Sequence, residues 1–305
     1  MNGINDNIIL SLCISTYYNR GNILDRTISS IVTDPAFDQS VELIIIDNGS
    51  TDNKCQVCTS YMQKYNNVFY YKNSINIGNK NFTKVLRQGH GVYVKFLNDT
   101  QSFKPGKLKM VKDFVLKYKN SKSNLLFVRK VGRGLLRQKK IITCNNKKEV
   151  LANLSFYTTW SGNFGSYSSF YNNIENPNRV ADLKFPQVDW IYSLASARPT
   201  IIVIDDFYNV EATFSKGNWN FLNVFTTYYF KVLRIHFNHS YAFEREKWRI
   251  FKFHLVPFYY VLTSKKKEFD YDNNHAFQIL MKYYKYNIFA YGYLLLYCMI
   301  KKIIK

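Results

Sequence analysis

Short apolar runs that end in polar loops, with helical stretches between them, constrain this chain more than any other feature. Residues 8–14 (IILSLCI) read as a buried strand. Val41 to Ile46 is β-branched and apolar and ends at Asp47, Val68 to Tyr71 is a further strand, Val92 to Leu97 ends at Asn98-Asp99, and Leu125 to Val128 is the fifth. Between them, Asn22 to Val32 spaces Ile23, Leu24, Ile28 and Ile31 helically, residues 53–65 read as a helix, and Asn79 to Gln88 carries Phe82, Val85 and Leu86 on one face. Gly106 to Lys119 aligns Leu108, Val111, Phe114, Val115 and Tyr118 on one face, an amphipathic helix. This alternation over about the first 130 residues predicts an α/β domain with a mostly parallel sheet and helices on both faces. Sheets of that kind bind ligands beyond the carboxyl ends of their strands. Three polar clusters fall there: Thr16 to Arg20, Asp47 to Asp52, and Asn98 to Thr100.

The pattern changes later in the chain. Residues 150–206 are loop-rich, with Trp160-Ser-Gly-Asn-Phe-Gly165 and a strand at Thr200 to Ile204. Beyond about residue 207, Asn218 to His236, Phe243 to Thr263 and Asn274 to Ile304 read as long aromatic-rich helical stretches, with Pro257 marking a break or kink. The expected organisation is a domain over 1–206, with a nucleotide-binding half to about 130 and an acceptor half over 131–206, followed by a helical region over 207–305. A hydrophobic content of 47% excludes a disordered chain.

Five cysteines without a regular framework suggest reduced thiols and a cytosolic setting. Cys55 and Cys58 read as two thiols on one helix, because no second pair completes a zinc site. The amino-terminal residues lack a basic segment and do not read as a signal peptide. The longest apolar run, Ile288 to Ile300, has 13 residues, short of the ~17–25 that span a bilayer. It is followed by Lys301, Lys302 and Lys305, a pattern suited to a helix lying in a membrane interface.

The formal net charge of +21 implies a polyanionic neighbour: nucleic acid, an anionic membrane or phosphate-bearing substrates. It is unevenly placed. Residues 101–150 hold 15 Lys or Arg against Asp113 and Glu149, whereas residues 1–50 hold 2 basic and 6 acidic side chains. So lopsided a window is unlike an ordinary mixed-sign surface and favours an anionic leaflet. No helix-turn-helix, zinc or RRM signature accompanies the charge, so no nucleic acid is expected.

The loops form an ordered set of motifs. It runs Ile14-Ser-Thr-Tyr-Tyr-Asn-Arg20, Ser30-Ile31, Ile46-Asp47-Asn48-Gly49-Ser50-Thr51-Asp52, Asn76-Ile77-Gly78, Gly91-Val-Tyr-Val-Lys-Phe-Leu-Asn98-Asp99-Thr100 and Pro105-Gly106. Over about residues 8–120 the order and spacing resemble the inverting family-2 glycosyltransferases of the GT-A fold. The resemblance implies a nucleotide-sugar donor, with uridine as the expected base. It assigns donor binding to Thr16, Tyr17, Tyr18, Asn19, Arg20, Asp47, Asn76, Gly78, Asn98, Asp99 and Thr100. Asp47 would accept from the base N–H, although Asp-Asn-Gly is also a turn signal, and Thr16 with Tyr17 or Tyr18 would wall the ring. Asp52 suits a helix cap better than a ligand contact.

The family's D-x-D reads Asn98-Asp99-Thr100 here. A divalent cation, Mn²⁺ or Mg²⁺, is therefore expected only weakly, with Asp99 as its ligand. The transfer base would be Asp189, in Phe185-Pro-Gln-Val-Asp189-Trp190, where it also suits a helix N-cap. Asp205-Asp206 is an alternative acidic pair. Trp160, Asn163 and Trp190 are candidate acceptor-binding residues, with core packing an equal reading for either Trp. His236-x-x-His239 lacks a third ligand and reads as structural. The functional expectation is a transferase acting at the inner face of the cytoplasmic membrane on a glycan or lipid-linked acceptor, in bacterial capsule, O-antigen or lipooligosaccharide synthesis. A catalytically degenerate membrane-bound partner and a nucleotidyltransferase are the alternatives.

Overall fold

A computed structural model describes residues 5–17, 21–52, 54–131, 136–211, 220–238, 240–263 and 274–303. The chain divides into two compact units, Met1–Ala212 and Thr213–Lys305.

In the first unit the elements follow as β1 (Leu10–Thr16), α1 (Gly21–Val32), β2 (Val41–Asp47), α2 (Lys54–Met62), β3 (Val68–Lys72), α3 (Lys80–Arg87), β4 (Tyr93–Asn98), β5 (Gln101–Phe103), α4 (Lys107–Tyr118), β6 (Asn124–Arg129), β7 (Lys140–Cys144), α5 (Lys147–Leu154), β8 (Gly165–Tyr167), α6 (Ser168–Tyr171), α7 (Pro186–Ala197), β9 (Thr200–Asp205) and β10 (Tyr208–Val210). The strands form a five-stranded sheet ordered β3-β2-β1-β4-β8, a three-stranded sheet ordered β6-β9-β7, and a two-stranded ribbon of β5 and β10. β1 through β4 pair in parallel, as the alternation predicts, while β8 runs antiparallel to β4. The first unit runs past residue 206 because Tyr208–Val210 pairs with Gln101–Phe103.

The central strands are buried on both faces, which is why they read as continuous apolar runs. On one face Leu10, Leu12 and Ile14 of β1 pack in a cluster with Leu24, Ile28 and Ile31 of α1 and Leu108, Val111 and Val115 of α4. On the other, α3 buries Val85 and Leu86, and Phe82 meets Phe96 with ring centroids 4.6 Å apart. Lys95, in the middle of β4, is fully buried, and its Nζ donates to the carbonyls of Phe96 (3.0 Å), Phe164 (3.1 Å) and Gly162. Three acceptors match the three donors of an ammonium, although burial pulls this lysine down to about 7. The lysine thereby bolts residues 162–164 onto β4.

The loop-rich reading of 150–206 underestimates its order. α5 begins at an Asn146 cap that accepts from the N–H groups of Lys148 and Glu149. α7 begins with Pro186, whose missing N–H costs nothing in a first turn where N–H groups have no intrahelical acceptor.

The second unit is helical. Phe221–Asn223, the π-helical Val224–Tyr229 and Phe230–Phe237 succeed one another, then Tyr241–Ile250, the π-helical Phe251–Leu255 and Val256–Thr263, then Ala276–Met281 and Ile288–Ile303. Pro257 does not break its helix. It has no N–H to offer Phe253 four residues back, and the widened turn Phe251–Leu255 absorbs that defect. Among the described residues no helix is long and apolar enough to cross a membrane.

Candidate donor and transfer site

The parallel register brings three loops to one sheet edge. Thr16 stands opposite Asp47, and Ser15 opposite Asn98, so β1, β2 and β4 end together. Thr16 Oγ1 donates to Asp99 Oδ2 at 2.8 Å, and Thr27 Oγ1 donates to the Asp99 carbonyl at 3.0 Å. The first and third loops are thus joined by a buried bond, and Asp99 itself is 2% exposed.

Asp47 closes the second loop on itself. Its Oδ1 accepts from the backbone N–H of Ser50 at 3.0 Å and from the Ser50 hydroxyl, and its Oδ2 accepts from the Tyr70 hydroxyl at 3.2 Å. Burial and then the Asp47 charge push the Tyr70 hydroxyl well up, so it stays a donor. Gly49 follows with φ +83°, and a Cβ there would sit 2.9 Å from the Ile75 carbonyl carbon. Only glycine lets this turn pass so close to the Ile75-Asn76 backbone.

An asparagine network binds the second loop to the Asn76-Ile77-Gly78 turn. Asn48 Nδ2 donates to Asn76 Oδ1 (2.7 Å) and to the Gly78 carbonyl (3.2 Å), and Asn48 Oδ1 accepts from Asn73 Nδ2 and from the Ile77 N–H. Asn73 Nδ2 also donates to Asn81 Oδ1, and Asn81 Nδ2 reaches Ser15 Oγ (2.7 Å) and the Ile46 carbonyl (3.0 Å). Lys84 Nζ donates to Asn73 Oδ1 at 2.6 Å. Asn76 and Gly78 remain exposed on the rim. So does Tyr17, at 47% exposure, just past the end of β1. Tyr18, Asn19 and Arg20 lie outside the described residues.

The turn 161–163 links this rim to the rest of the unit. Ser161 Oγ donates to Asn98 Oδ1, Gln101 Oε1 accepts the Asn98 N–H at 2.7 Å, and Asn163 Oδ1 accepts the Arg129 N–H at 3.0 Å. The Arg129 guanidinium carbon lies 5.2 Å from the centre of the Trp160 ring. Asn163 is 1% exposed, and its amide also donates to the Tyr157 carbonyl, so it holds the turn. Trp190 is fully buried against Phe164 and Tyr171 and donates to the Pro177 carbonyl at 2.7 Å. Its indole stands in the core, with no face open to a sugar. Trp160 is partly exposed.

Asp189 lies in the first turn of α7, fully buried, and Arg179 grips it with Nε on Oδ2 at 2.9 Å and Nη2 on Oδ1 at 2.7 Å. Gln187 of the same turn donates to the Thr159 carbonyl at 2.6 Å, which ties α7 to the segment carrying Trp160 and Ser161. Asp205 and Asp206 are taken up by lysines: Lys107 (2.9 Å) and Lys139 (3.2 Å) on Asp205, and Lys104 on Asp206. Desolvation opposes ionisation of Asp205, but these lysines and the Asp206 N–H together hold its carboxyl below its ordinary value. The pair is an ion-paired strand end. Part of the basic 101–150 window is therefore engaged, with Lys112 on Asp38 and Lys119 on Asp6 as well. Of His236-x-x-His239, His239 lies outside the described residues.

No cluster of three or more His, Cys, Asp or Glu side chains able to hold a metal ion occurs among the described residues. In the Asn98-Asp99-Thr100 turn, one carboxylate is engaged by Thr16 and the Asn98 amide oxygen by Ser161. Mg²⁺ and Mn²⁺ take several hard oxygen ligands. One partly committed anion does not fit a cation held by the protein alone.

Sequence reasoning assigned no site role of their own to Ser50, Tyr70, Asn73, Asn81, Lys84, Lys95, Arg129, Ser161 or Arg179. Two carried a usable signal. Lys95 is a charge inside an apolar strand, and Arg129 ends a strand as Asp47 and Asn98 do.

Residues 11–171 match the family described as "Glycosyl transferase family 2". That stretch is more than half of the chain, and the protein belongs to this family. A segment is 33% identical over 88 residues to abequosyltransferase RfbV of Salmonella typhimurium, covering 28% of this chain and 26% of that one. An alignment of 111 residues is 29% identical to an uncharacterized glycosyltransferase of Mycoplasma pneumoniae (the MG060 homolog), covering 35% of this chain and 37% of that one. The chain thus spans about a quarter to somewhat over a third of these curated relatives. Among solved structures, S. aureus TarS 1–349 in complex with UDP-GlcNAc aligns with TM-score 0.55 and 17% identity, over 90% of this chain and 71% of that one. The mannosyltransferase PcManGT of Pyrobaculum calidifontis, in complex with GDP-Man and Mn²⁺, aligns with TM-score 0.55 and 10% identity, over 96% and 87%. Likenesses at these identities establish the shared GT-A fold.

Proposed function

We propose that the protein is an inverting glycosyltransferase that takes a sugar from a nucleoside-diphosphate donor, with uridine as the base, and passes it to a glycan or lipid-linked acceptor of a bacterial surface polysaccharide. The observation that carries this reading is the convergence of Thr16, Asp47 and Asp99 at one strand-end rim, with the Asn48 amide tying in the exposed Asn76-Gly78 turn. Asp47 and the Tyr17 ring receive the base. Asn76 and Gly78 pass close to the ribose, and the Asn98-Asp99-Thr100 turn faces the ribose-diphosphate region. Asp189 is the base that takes the acceptor hydroxyl proton. Arg179 fixes its orientation through two parallel bonds. The partly exposed Trp160 is the acceptor-side ring.

A membrane surface is the proposed setting for the acceptor. Helix Ile288–Ile303 exposes Ile288, Phe289, Leu295, Leu296, Met299 and Ile303, with Lys301 and Lys302 in its last turn. An apolar face ending in lysines suits an interface of anionic lipid. The test of the donor reading is a thermal-shift screen of nucleotides with and without Mn²⁺. Stabilisation by a nucleoside diphosphate supports it, and no response to any nucleotide contradicts it.

A further inference from the structure

A nucleoside diphosphate leaves with concentrated negative charge, and transfer needs positive charge placed where that charge develops. The Asn98-Asp99-Thr100 turn offers none, and its carboxylate adds to the problem. The structure provides a cation beside it. Tyr93 at the start of β4 donates to the Leu125 carbonyl near the start of β6 at 2.6 Å, and the far ends of both strands bond the turn 161–163. Arg129, the last residue of β6, therefore stands at the same rim as Asn98. Its guanidinium is seated on Trp160, one residue from the Ser161 that holds Asn98.

Three neighbouring lysines are already matched: Lys107 and Lys139 by Asp205, and Lys104 by Asp206. Asp205 is opposite Arg129 in the register yet bonds those lysines. Arg129 has no carboxylate partner among the described residues, and its buried Nε has no hydrogen-bond partner there. Buried donors in folded proteins are nearly all paired with protein, water or ligand, and at this rim a ligand oxygen can supply the acceptor that the Arg129 Nε lacks. A ring face steadies a guanidinium without neutralising it.

We propose that Arg129, seated on Trp160, receives the diphosphate of the donor and matches the leaving-group charge that a divalent cation would otherwise match. This rests on the donor-site reading above. In the step, the bond from the anomeric carbon to the β-phosphate oxygen breaks, and its electron pair leaves with the nucleoside diphosphate. The acceptor oxygen forms the new bond to that carbon, and its proton passes to the Asp189 carboxylate. The planar fork of Arg129 offers parallel N–H donors to two phosphate oxygens.

The test is calorimetric titration of the EDTA-treated full chain with uridine and guanosine mono- and diphosphates, repeated with Mn²⁺. Without metal, one diphosphate is expected to bind roughly tenfold or more tighter than its monophosphate. Arg129→Met is expected to erase that difference while the monophosphate affinity stays. Trp160→Leu, which removes the seat, should shrink it, and Arg129→Gln serves if the Met variant does not fold. A diphosphate preference that appears only with Mn²⁺, or that survives loss of the guanidinium, overturns the inference and leaves the donor site standing. No binding of any of the four nucleotides by the wild-type chain overturns the donor-site reading and this inference together.

Discussion

Replacing Asp189 with Asn separates the proposed base from a merely structural acid. The carboxylate is fully buried and held at two points by Arg179, whose side chain is 41% exposed. The H-bond to Asp189 is the first cause that raises the Arg179 pKa, with desolvation opposing it. Asn keeps the shape and one acceptor but loses the charge. A hydrogen bond to a charged group contributes about 1.5–3 kcal/mol when buried. Because Arg179 can turn back to water, the stability loss should lie at the lower end, about 1–2 kcal/mol. Removing a general base costs transfer about 10²–10⁴-fold, far more than that destabilisation can produce in a chain that remains folded. The assay is initial-rate release of nucleoside diphosphate, with thermal melting and donor titration on the same samples. The expected result is a rate loss of at least about a hundredfold, a modest fall in Tm and an unchanged donor affinity. An Asn variant with wild-type turnover would refute the assignment. A variant whose rate falls only in step with its folded fraction would show that the ion pair is structural.

Three further outcomes follow from the same geometry. Gly49→Ala puts a Cβ 2.9 Å from the Ile75 backbone at φ +83°; it should cost about 1–2 kcal/mol for the left-handed conformation alone, lower Tm by several degrees and weaken nucleotide binding through Asn76. Burial takes Lys95 from 10.5 to about 7 in the fold, so between those values the unfolded chain binds the extra proton and stability rises with pH. Denaturant titrations from pH 7 to 10 should show a slope component approaching ~1.4 kcal/mol per pH unit that is absent in Lys95→Met, and identical slopes would contradict the burial-lowered lysine. Leu295→Glu with Leu296→Glu, both on exposed positions, should leave Tm nearly unchanged and reduce co-sedimentation with anionic vesicles several-fold; undiminished co-sedimentation would remove this helix from the membrane contact.

The legible part of the molecule is the part with a strong local period. Strands over 8–14, 41–46, 68–71 and 92–97 and the helices between them emerge within a few residues of those limits; the central ones are legible because a strand buried on both faces is apolar nearly throughout. The three-residue strands β5, β8 and β10 escape notice, being too short for alternation to register and held by long-range pairing. The rim loops were visible as polar residues terminating apolar runs. Their bonding was not: Asn73, Asn81 and Tyr70 are ordinary polar residues until the parallel register brings them to Asn48 and Asp47. Trp190 shows the converse, since the residue type fits both stacking and burial and only packing against Phe164 and Tyr171 decides for the core. The basic window likewise looked uniform, yet Asp205, Asp206, Asp38 and Asp6, all distant in sequence, take up a share of it.

The central claim is that the rim of β1, β2 and β4 is a nucleotide site organised by Asp47, a carboxylate 1% exposed and bonded to Ser50 and Tyr70. Titrating UDP into the wild-type chain and into Asp47→Asn and Asp47→Ala tests it most directly. Saturable binding by the wild type, weakened about tenfold or more in both variants with the fold retained, is the predicted result. Equal UDP affinity in all three folded proteins would contradict the account.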